Sequence, residues 1–140
     1  MKILELLTFK RKLGNKGEAI AVKELKRKGY KILKRNYVAA GYEIDVIAEN
    51  RDTLAFVEVK TRTGDGGTSW EPRPASSITP EKQRKIIAAA KYFLATYDQK
   101  KHVSLDVIEV YLDNKSKKSK VVHMENAFNL NTAYNRKVIY

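Results

Sequence analysis

The amino-acid sequence predicts an α/β protein whose elements follow the order αβββαβ, with one added strand near the carboxyl end. Three observations support this fold class: an early amphipathic segment that ends at a glycine, three consecutive runs of β-branched and aromatic residues, and a second helix-start signature followed by two more apolar runs. With 140 residues, 43% of them hydrophobic, the chain suffices for one domain over residues 1–140, with a core over about 14–125.

The first helix is predicted from Gly14 to Lys28, because small and apolar residues recur there at helical spacing and Gly29 marks a stop. This apolar stripe also carries an acid, Glu18. Three strands with short polar breaks follow, which favours an antiparallel meander. The predicted strands are Tyr30–Ala39, Tyr42–Glu49 and Leu54–Thr61.

Thr79, Pro80 and Glu81 then provide a capping hydroxyl, a proline for the first helical position and an acid for the first turn. They predict a second helix that runs to about Tyr97. Two further strands are expected on either side of a basic turn at Lys115–Lys120. Their predicted ranges are Val103–Leu112 and Val121–Glu125.

A Gly/Ser/Pro-rich stretch from Thr63 to Ser77 predicts one long flexible loop directly after the third strand. Such a loop is well placed to close over a substrate. Its single tryptophan, Trp70, has two interpretations: stacking on an unpaired nucleic-acid base or packing against the domain.

The net charge of +12 favours a polyanionic partner, first of all nucleic acid, although scattered lysines also serve solubility alone. The absence of cysteine fits a reducing, cytoplasmic compartment. The opening run MKILELLTFKRK is too short and too charged for a signal sequence, and no stretch has the length of a membrane span. We therefore expect a cytoplasmic protein that does not bind membranes.

The break between the second and third strands contains the strongest signal. If it is a symmetric turn centred on Arg51–Asp52, Asp45 lies opposite Glu58, with Glu43 opposite Lys60 and Ile47 opposite Phe56 on the same face. The other face then consists of apolar pairs only. These pairs are Ile44 with Val59, Val46 with Val57 and Ala48 with Ala55.

Facing carboxylates about 5 Å apart repel each other unless a positive charge lies between them. Mg²⁺ or Mn²⁺ fits, because such ions use one or two protein carboxylates and keep other positions for water and phosphate. Lys60 then suits the positioning of an attacking water or the stabilisation of charge on a phosphate. The alternative is a solvated face of cross-strand ion pairs. Glu18 counts against it, since an acid on an apolar stripe needs a partner or an ion.

Several segments together resemble the YraN family of small, largely uncharacterised bacterial proteins, which belongs by fold to the PD-(D/E)XK nuclease superfamily. The resemblance covers 17–111, most of the chain, and extends to a later segment. The matching segments are GEAIAVKELKRKGYKILKRN at 17–36, YEIDVIAE at 42–49, LAFVEVKTR at 54–62, ITPEKQRKI at 78–86, LDVIEV at 105–110 and HMENAF at 123–128.

The resemblance implies a restriction-endonuclease-like αβββαβ core, in which a mixed central sheet is flanked by helices. It implies catalytic roles for Asp45, Glu58 and Lys60 and a helix-one acid at Glu18, with the Val59 carbonyl joining Asp45 and Glu58 around the metal. Gln83 sits where a glutamine flanks the site in related nucleases, and Glu43 is a second accessory candidate.

Two residues depart from the family and superfamily patterns. Ile44 replaces the proline of the superfamily name, which is normal for this family, and Tyr42 stands where relatives usually have glycine. Strand alternation puts Tyr42 on the face opposite Asp45, so we expect it to affect packing more than chemistry.

Basic residues around these segments are candidates for phosphate contacts, which supply salt-dependent affinity without reading sequence. The principal nucleic-acid-binding candidates are Arg62, Trp70, Lys82, Arg84 and Lys85. Asp106 lies in an apolar strand, which is typical of a buried, satisfied acid more often than of a site residue. His102 and His123 lack metal-ligand spacing and do not indicate zinc.

The leading hypothesis is a metal-dependent nuclease that hydrolyses phosphodiester bonds in DNA, on branched or single-stranded repair and recombination intermediates. Cutting two strands would favour a homodimer. The second hypothesis is a non-catalytic nucleic-acid-binding module that retains the nuclease fold, and the third is a structural protein with an ion-paired sheet.

Overall fold

A computed structural model of the chain describes residues 2–64, 78–113 and 115–129. In this part of the chain, two helices and five strands follow the predicted order. The elements are α1 (Ile3–Arg27), β1 (Lys31–Ala39), β2 (Tyr42–Glu49), β3 (Thr53–Gly64), α2 (Pro80–Leu94), β4 (His102–Asp113) and β5 (Ser119–Phe128).

The strands form one mixed sheet in the order β1-β2-β3-β4-β5. All neighbouring strands pair antiparallel except β3 and β4, which are parallel and are connected through α2. One apolar cluster joins α2 to the sheet through Phe56 and Ile47, and a second joins α1 to it through Val57 and Val46. The sheet is therefore covered by one helix on each face, as an α/β protein requires.

Both hairpin turns are two residues long, which explains why the strand register was predictable. Ala40 and Gly41 have φ values of +51° and +72° between the paired Ala39 and Tyr42, the backbone that twisted two-residue hairpins favour. At the second turn, the Asn50 side chain accepts hydrogen bonds from the backbone N–H groups of Asp52 and Thr53.

Helix α1 is longer than predicted, because it starts at Ile3 and not at Gly14. Its first turns carry exposed apolar residues, so a search for a buried stripe misses them, although their composition suits a helix. The predicted stop is confirmed. Gly29 has φ +92°, and the Gly29 and Tyr30 N–H groups bond to the Lys26 and Leu25 carbonyls, which closes the last turn.

Helix α2 begins as predicted. Thr79 caps it, with its hydroxyl oxygen accepting the backbone N–H of Lys82 at 3.2 Å, and Pro80 occupies the first turn. The apolar stripe is buried against the sheet, including Ile86, Ile87 and Ala90. Helix α2 ends at Leu94, three residues before the predicted end.

Strands β4 and β5 are joined by a buried polar network around Asp106. Its carboxylate accepts hydrogen bonds from the Ser104 hydroxyl and the Asn126 backbone N–H, and lies 2.7 Å from His123 Nε2. Two extra residues of β5 bulge here, and Asn126 has φ +51°. Asp106 is thus a buried acid satisfied by structural partners, as predicted, while the contact with His123 was not.

The predicted loop from Thr63 to Ser77 overlaps β3, which continues to Gly64. Its remaining residues, 65–77, lie outside the described residues. The basic segment is shorter than predicted, because Ser119 and Lys120 already belong to β5. No helix among the described residues has the length and apolarity needed to cross a bilayer.

Candidate active site

The site forms where β2 and β3 separate. Their paired residues run from Glu49–Leu54 to Val46–Val57, in the register predicted from a symmetric turn at Arg51–Asp52. The pairing does not continue to Asp45–Glu58 and Glu43–Lys60, so that part of the prediction is wrong. Instead, the Asp45 side chain enters the gap, and its Oδ2 accepts the backbone N–H of Val59 at 2.7 Å. The carboxylate replaces a backbone acceptor at the point of separation.

Asp45 lies among other acids in a largely buried environment. Burial, the charge of Glu58 and the nearby Glu18 carboxyl group raise the pKa of Asp45 to about 8, although the hydrogen bond from Val59 acts in the opposite direction. Glu18 lies close enough to Asp45 to contribute to this shift, and its Oε2 lies 3.7 Å from the Arg35 guanidinium. The predicted need of this acid for a partner is met by Arg35, while Glu18 also lies near the strand carboxylates.

Glu58 is surrounded by a more balanced set of groups. Burial raises its pKa, whereas the ammonium groups of Lys82 and Lys60 and a hydrogen bond from Tyr42 lower it. The pKa of Lys60 is in turn lowered, mainly by burial and by the charge of Lys82. Lys82 comes from the first turn of α2, so this helix delivers a second cation beside Glu58 and Lys60.

The predicted role of Tyr42, in packing more than in chemistry, is wrong. Its hydroxyl lies 3.3 Å from Glu58 Oε2 and donates a hydrogen bond to it.

The alternation of side chains along β2 is not regular. Ile44 and Ile47 belong to one core cluster, and Val46 belongs to the other. Strict alternation would separate Ile44 from Ile47, so the alternation is interrupted at Asp45. Ile44 consequently lies in the α2-side core and not on the face predicted for it with Val59.

The interruption has a local cause that the sequence contains. Asn36 of β1 lies between the partners of Val46 and Ile44, opposite Asp45, and has φ +53°. Asparagine tolerates this left-handed conformation better than most residues. An asparagine within a predicted strand was therefore the available sign of the interruption.

Tyr42 itself is half-buried. Burial, followed by the charges of Glu58 and Asp45, raises its pKa above the ordinary value, which keeps the hydroxyl a donor.

A cavity of about 500 Å³ lies between α1 and β3, beside Glu18 and Val59. Leu13, Gly14, Thr61 and Arg62 complete its wall. Helix α1 packs closely on β3 at this end, because Gly17 is buried with no room for a Cβ atom: one would lie 1.9 Å from the Thr61 hydroxyl oxygen. The close packing brings Glu18 towards the strands.

The two predicted accessory residues, Glu43 and Gln83, have different surroundings in the structure. Glu43 is exposed and faces Val38 across the β1–β2 pair. Gln83 is buried, but its amide Nε2 donates to the Ile78 carbonyl at 2.9 Å, which is a structural use of the side chain.

The predicted nucleic-acid contacts differ in what surrounds them. Lys82 and Arg62 both lie close enough to Lys60 to lower its pKa. Arg84 and Lys85 are exposed on α2, and Lys85 lies 3.6 Å from Glu81. Trp70 lies outside the described residues.

Glu109 was missed by the sequence analysis. It is the parallel-strand neighbour of Lys60, is fully buried and accepts a hydrogen bond from the Tyr111 hydroxyl. The available signal was an acid within the apolar strand VIEVYL.

Among the described residues, no three His, Cys, Asp or Glu side chains form a cluster ready to hold a metal ion. Asp45 and Glu58 nevertheless fit a hard cation, because their mutual repulsion within a buried gap is relieved by a positive charge. Two carboxylates, with a carbonyl and water, satisfy Mg²⁺ or Mn²⁺. Such an ion would therefore be held by few protein side chains.

These features define a small α/β protein with a five-stranded mixed sheet and a carboxylate–lysine cluster where two antiparallel strands separate. The chain belongs to the uncharacterised protein family UPF0102, whose model matches residues 17–110. Glu18, Asp45, Glu58, Lys60 and Lys82 all fall within that match.

Several related proteins match this chain over nearly their whole length. A UPF0102 protein of Chlorobium phaeobacteroides is 40% identical over 121 residues, which is 83% of this chain and 93% of the relative. A UPF0102 protein of Chlorobaculum parvum is 44% identical over 121 residues, covering 83% and 91%. One from Caldicellulosiruptor saccharolyticus is 40% identical over 120 residues, covering 85% and 98%.

Proposed function

We propose that this protein is a metal-dependent nuclease of the PD-(D/E)XK superfamily, with a restriction-endonuclease-like fold, that hydrolyses phosphodiester bonds in DNA. The observation that carries the proposal is the separation of β2 and β3, which places the Asp45 carboxylate on the Val59 backbone beside Glu58. The element order, the parallel β3–β4 pair and the helix on each face agree with the core expected for that superfamily.

The charges around the site support a phosphate substrate. The chain carries a net charge of +12, and the cations Lys82 and Arg62 both lie within electrostatic reach of Lys60. In the described part of the chain, none of these three forms a salt bridge. Unpaired cations beside carboxylates suit a polyanion that brings its own negative charge.

Asp45, Glu58 and the Val59 carbonyl would hold Mg²⁺ or Mn²⁺. The ion would lower the pKa of a water molecule and offset charge on the phosphate. Lys60 would hold the attacking water or a phosphate oxygen next to Glu58, and Lys82 would bind the neighbouring backbone phosphate. Glu18 would help to orient Asp45. Positioning and electrostatic stabilisation supply most of the catalysis in phosphoryl transfer.

The proposal is tested by incubating the full chain with branched, single-stranded and duplex DNA in Mg²⁺ or Mn²⁺. We expect cleavage that EDTA abolishes and that falls by at least about a hundredfold in Asp45→Asn and Glu58→Gln, since each removes a group that acts on the reacting phosphate. Asp98→Asn changes an exposed acid outside the site and serves as the matched control.

Cleavage that persists in the Asp45→Asn, Glu58→Gln double variant would refute the assignment. DNA binding that survives EDTA, with no nicking of any substrate, would instead support a nucleic-acid-binding module. Gel filtration with and without branched DNA tests the homodimer expected of an enzyme that cuts two strands.

A further inference from the structure

Asp45 and Glu58, the two carboxylates proposed to bind the metal, each have one oxygen that already accepts a hydrogen bond from the protein. Asp45 Oδ2 accepts the Val59 N–H at 2.7 Å, and Glu58 Oε2 accepts the Tyr42 hydroxyl at 3.3 Å. Within the described residues, Glu58 Oε1 has no hydrogen-bond partner. Oε1 is therefore the Glu58 oxygen that accepts no hydrogen bond from the described residues, and Oε2 is the one restrained by Tyr42.

The Tyr42 side chain is anchored by its ring. Its ring packs against the α2-side core, and the change of face at Asp45 brings it onto the side of the sheet where Glu58 lies. A residue anchored in the core costs little additional conformational entropy when it orients a ligand, so the hydroxyl can hold the Glu58 carboxylate in one orientation.

The number of oxygens that a carboxylate offers discriminates between metal ions. Mg²⁺ requires a small, near-octahedral shell and takes one oxygen from each carboxylate, whereas Ca²⁺ accepts six to eight oxygens and often takes both oxygens of one carboxylate. A hydrogen bond to the second oxygen restrains the plane of the carboxylate and competes for one of its lone pairs, which opposes the two-oxygen geometry of Ca²⁺ more than the one-oxygen geometry of Mg²⁺.

We propose that Tyr42 determines the metal specificity of the site by keeping Glu58 a one-oxygen ligand, so that Mg²⁺ and Mn²⁺ are bound in preference to Ca²⁺. This inference rests on the proposed nuclease function. Tyr42 acts on the metal through Glu58 and is a positioning residue. A tyrosine that only fills space would leave ion preference unchanged when its hydroxyl is removed.

The test measures Mn²⁺ binding to the full chain from the electron paramagnetic resonance signal of free Mn²⁺, with Mg²⁺ and Ca²⁺ as competitors. Tyr42→Phe keeps the ring and removes the hydroxyl. We expect its Mn²⁺ affinity to fall about tenfold, as is usual when a group that orients a metal ligand is lost. The ratio of Ca²⁺ to Mg²⁺ affinity should rise by a similar factor. Tyr92→Phe, at an exposed position of α2, should change neither quantity.

An unchanged Ca²⁺ to Mg²⁺ ratio in Tyr42→Phe, with Mn²⁺ binding intact, would overturn the role of Tyr42 and leave the proposed function standing. Absence of Mn²⁺ binding in the unaltered chain would overturn both. A second measurement needs no variant: the separation of the carboxylate stretching bands in the infrared spectrum distinguishes one-oxygen from two-oxygen coordination. A two-oxygen spectrum for Glu58 with Mg²⁺, assigned by its loss in Glu58→Gln, would also overturn the proposal.

Discussion

Replacing Asp45 by asparagine should stabilise the metal-free protein at neutral and alkaline pH. Asp45 lies in a largely buried gap beside Glu58 and Glu18, where a negative charge is unfavourable. Asparagine has nearly the same shape and keeps an oxygen that can accept the Val59 N–H, but it never ionises. The variant therefore removes the unfavourable charge and can retain the hydrogen bond with Val59 that spans the gap between β2 and β3.

The magnitude follows from the pKa of Asp45, which is raised from 3.8 to about 8 in the folded chain. Because the folded state holds the proton more tightly than the unfolded state, stability is fully present below pH 3.8, falls progressively as the pH rises from 3.8 to about 8, and levels off above that. A pH of 7 lies about 3 pH units above the pKa of the unfolded carboxyl group, and each unit is worth about 1.4 kcal/mol. The raised pKa of Asp45 therefore lowers the free energy of unfolding by roughly 4 kcal/mol at pH 7. Above pH 8 this reduction approaches about 6 kcal/mol by the same relation.

The assay is urea denaturation followed by circular dichroism in EDTA at pH 5, 7 and 9. The free energy of unfolding of Asp45→Asn should exceed that of the unaltered chain, and the difference should grow with pH. Asp98→Asn, at an exposed position, should show no such trend. A difference that is independent of pH, or a variant less stable than the unaltered chain at pH 9, would refute the electrostatic reasoning.

Three further predictions concern the fold and use the same denaturation assay. Thr79→Ala should cost about 1 kcal/mol by removing the cap of α2, and an unchanged stability would contradict that role. Gly17→Ala should cost about 1–3 kcal/mol through its clash with Thr61. The matched Gly14→Ala, with nothing within 4 Å of its Cβ, should gain up to about 1 kcal/mol, so equal effects of the two would count against the packing. Asp106→Asn should cost about 1–3 kcal/mol through its network with His123, and a neutral effect would mean that the network is dispensable.

Much of the fold was predictable because its signals are local. The Arg51–Asp52 turn fixes the register of β2 and β3 as far as Val46–Val57, since a two-residue turn leaves one symmetric pairing. The cap at Thr79 fixed the start of α2 in the same way. By contrast, the start of α1 at Ile3 was missed, because its first turns bury no stripe.

The proximity of Asp45, Glu58 and Lys60 was predictable, but the geometry of their contacts was not. The order of charges on β2 and β3 pointed to Asp45, Glu58 and Lys60, and no rule of strand alternation foretold that Asp45 would leave the ladder. Tyr42 was misplaced because period-two alternation assumes a uniform strand, which the conformation of Asn36 interrupts. Contacts across a β-bulge, such as His123 with Asp106, likewise depend on a register that local sequence does not determine.

The separation of the two strands links stability to metal binding. A regular hairpin would set the carboxylates of Asp45 and Glu58 directly opposite each other and would use the Val59 N–H for strand pairing. The separated strands give that N–H to Asp45 and leave a gap between the two acids, and the metal-free protein bears the electrostatic cost. If a divalent cation fills the gap, it removes the same cost that Asp45→Asn removes. The pH-dependent stability difference between that variant and the unaltered chain should therefore shrink when Mg²⁺ replaces EDTA, and a difference unaffected by Mg²⁺ would place the cation elsewhere.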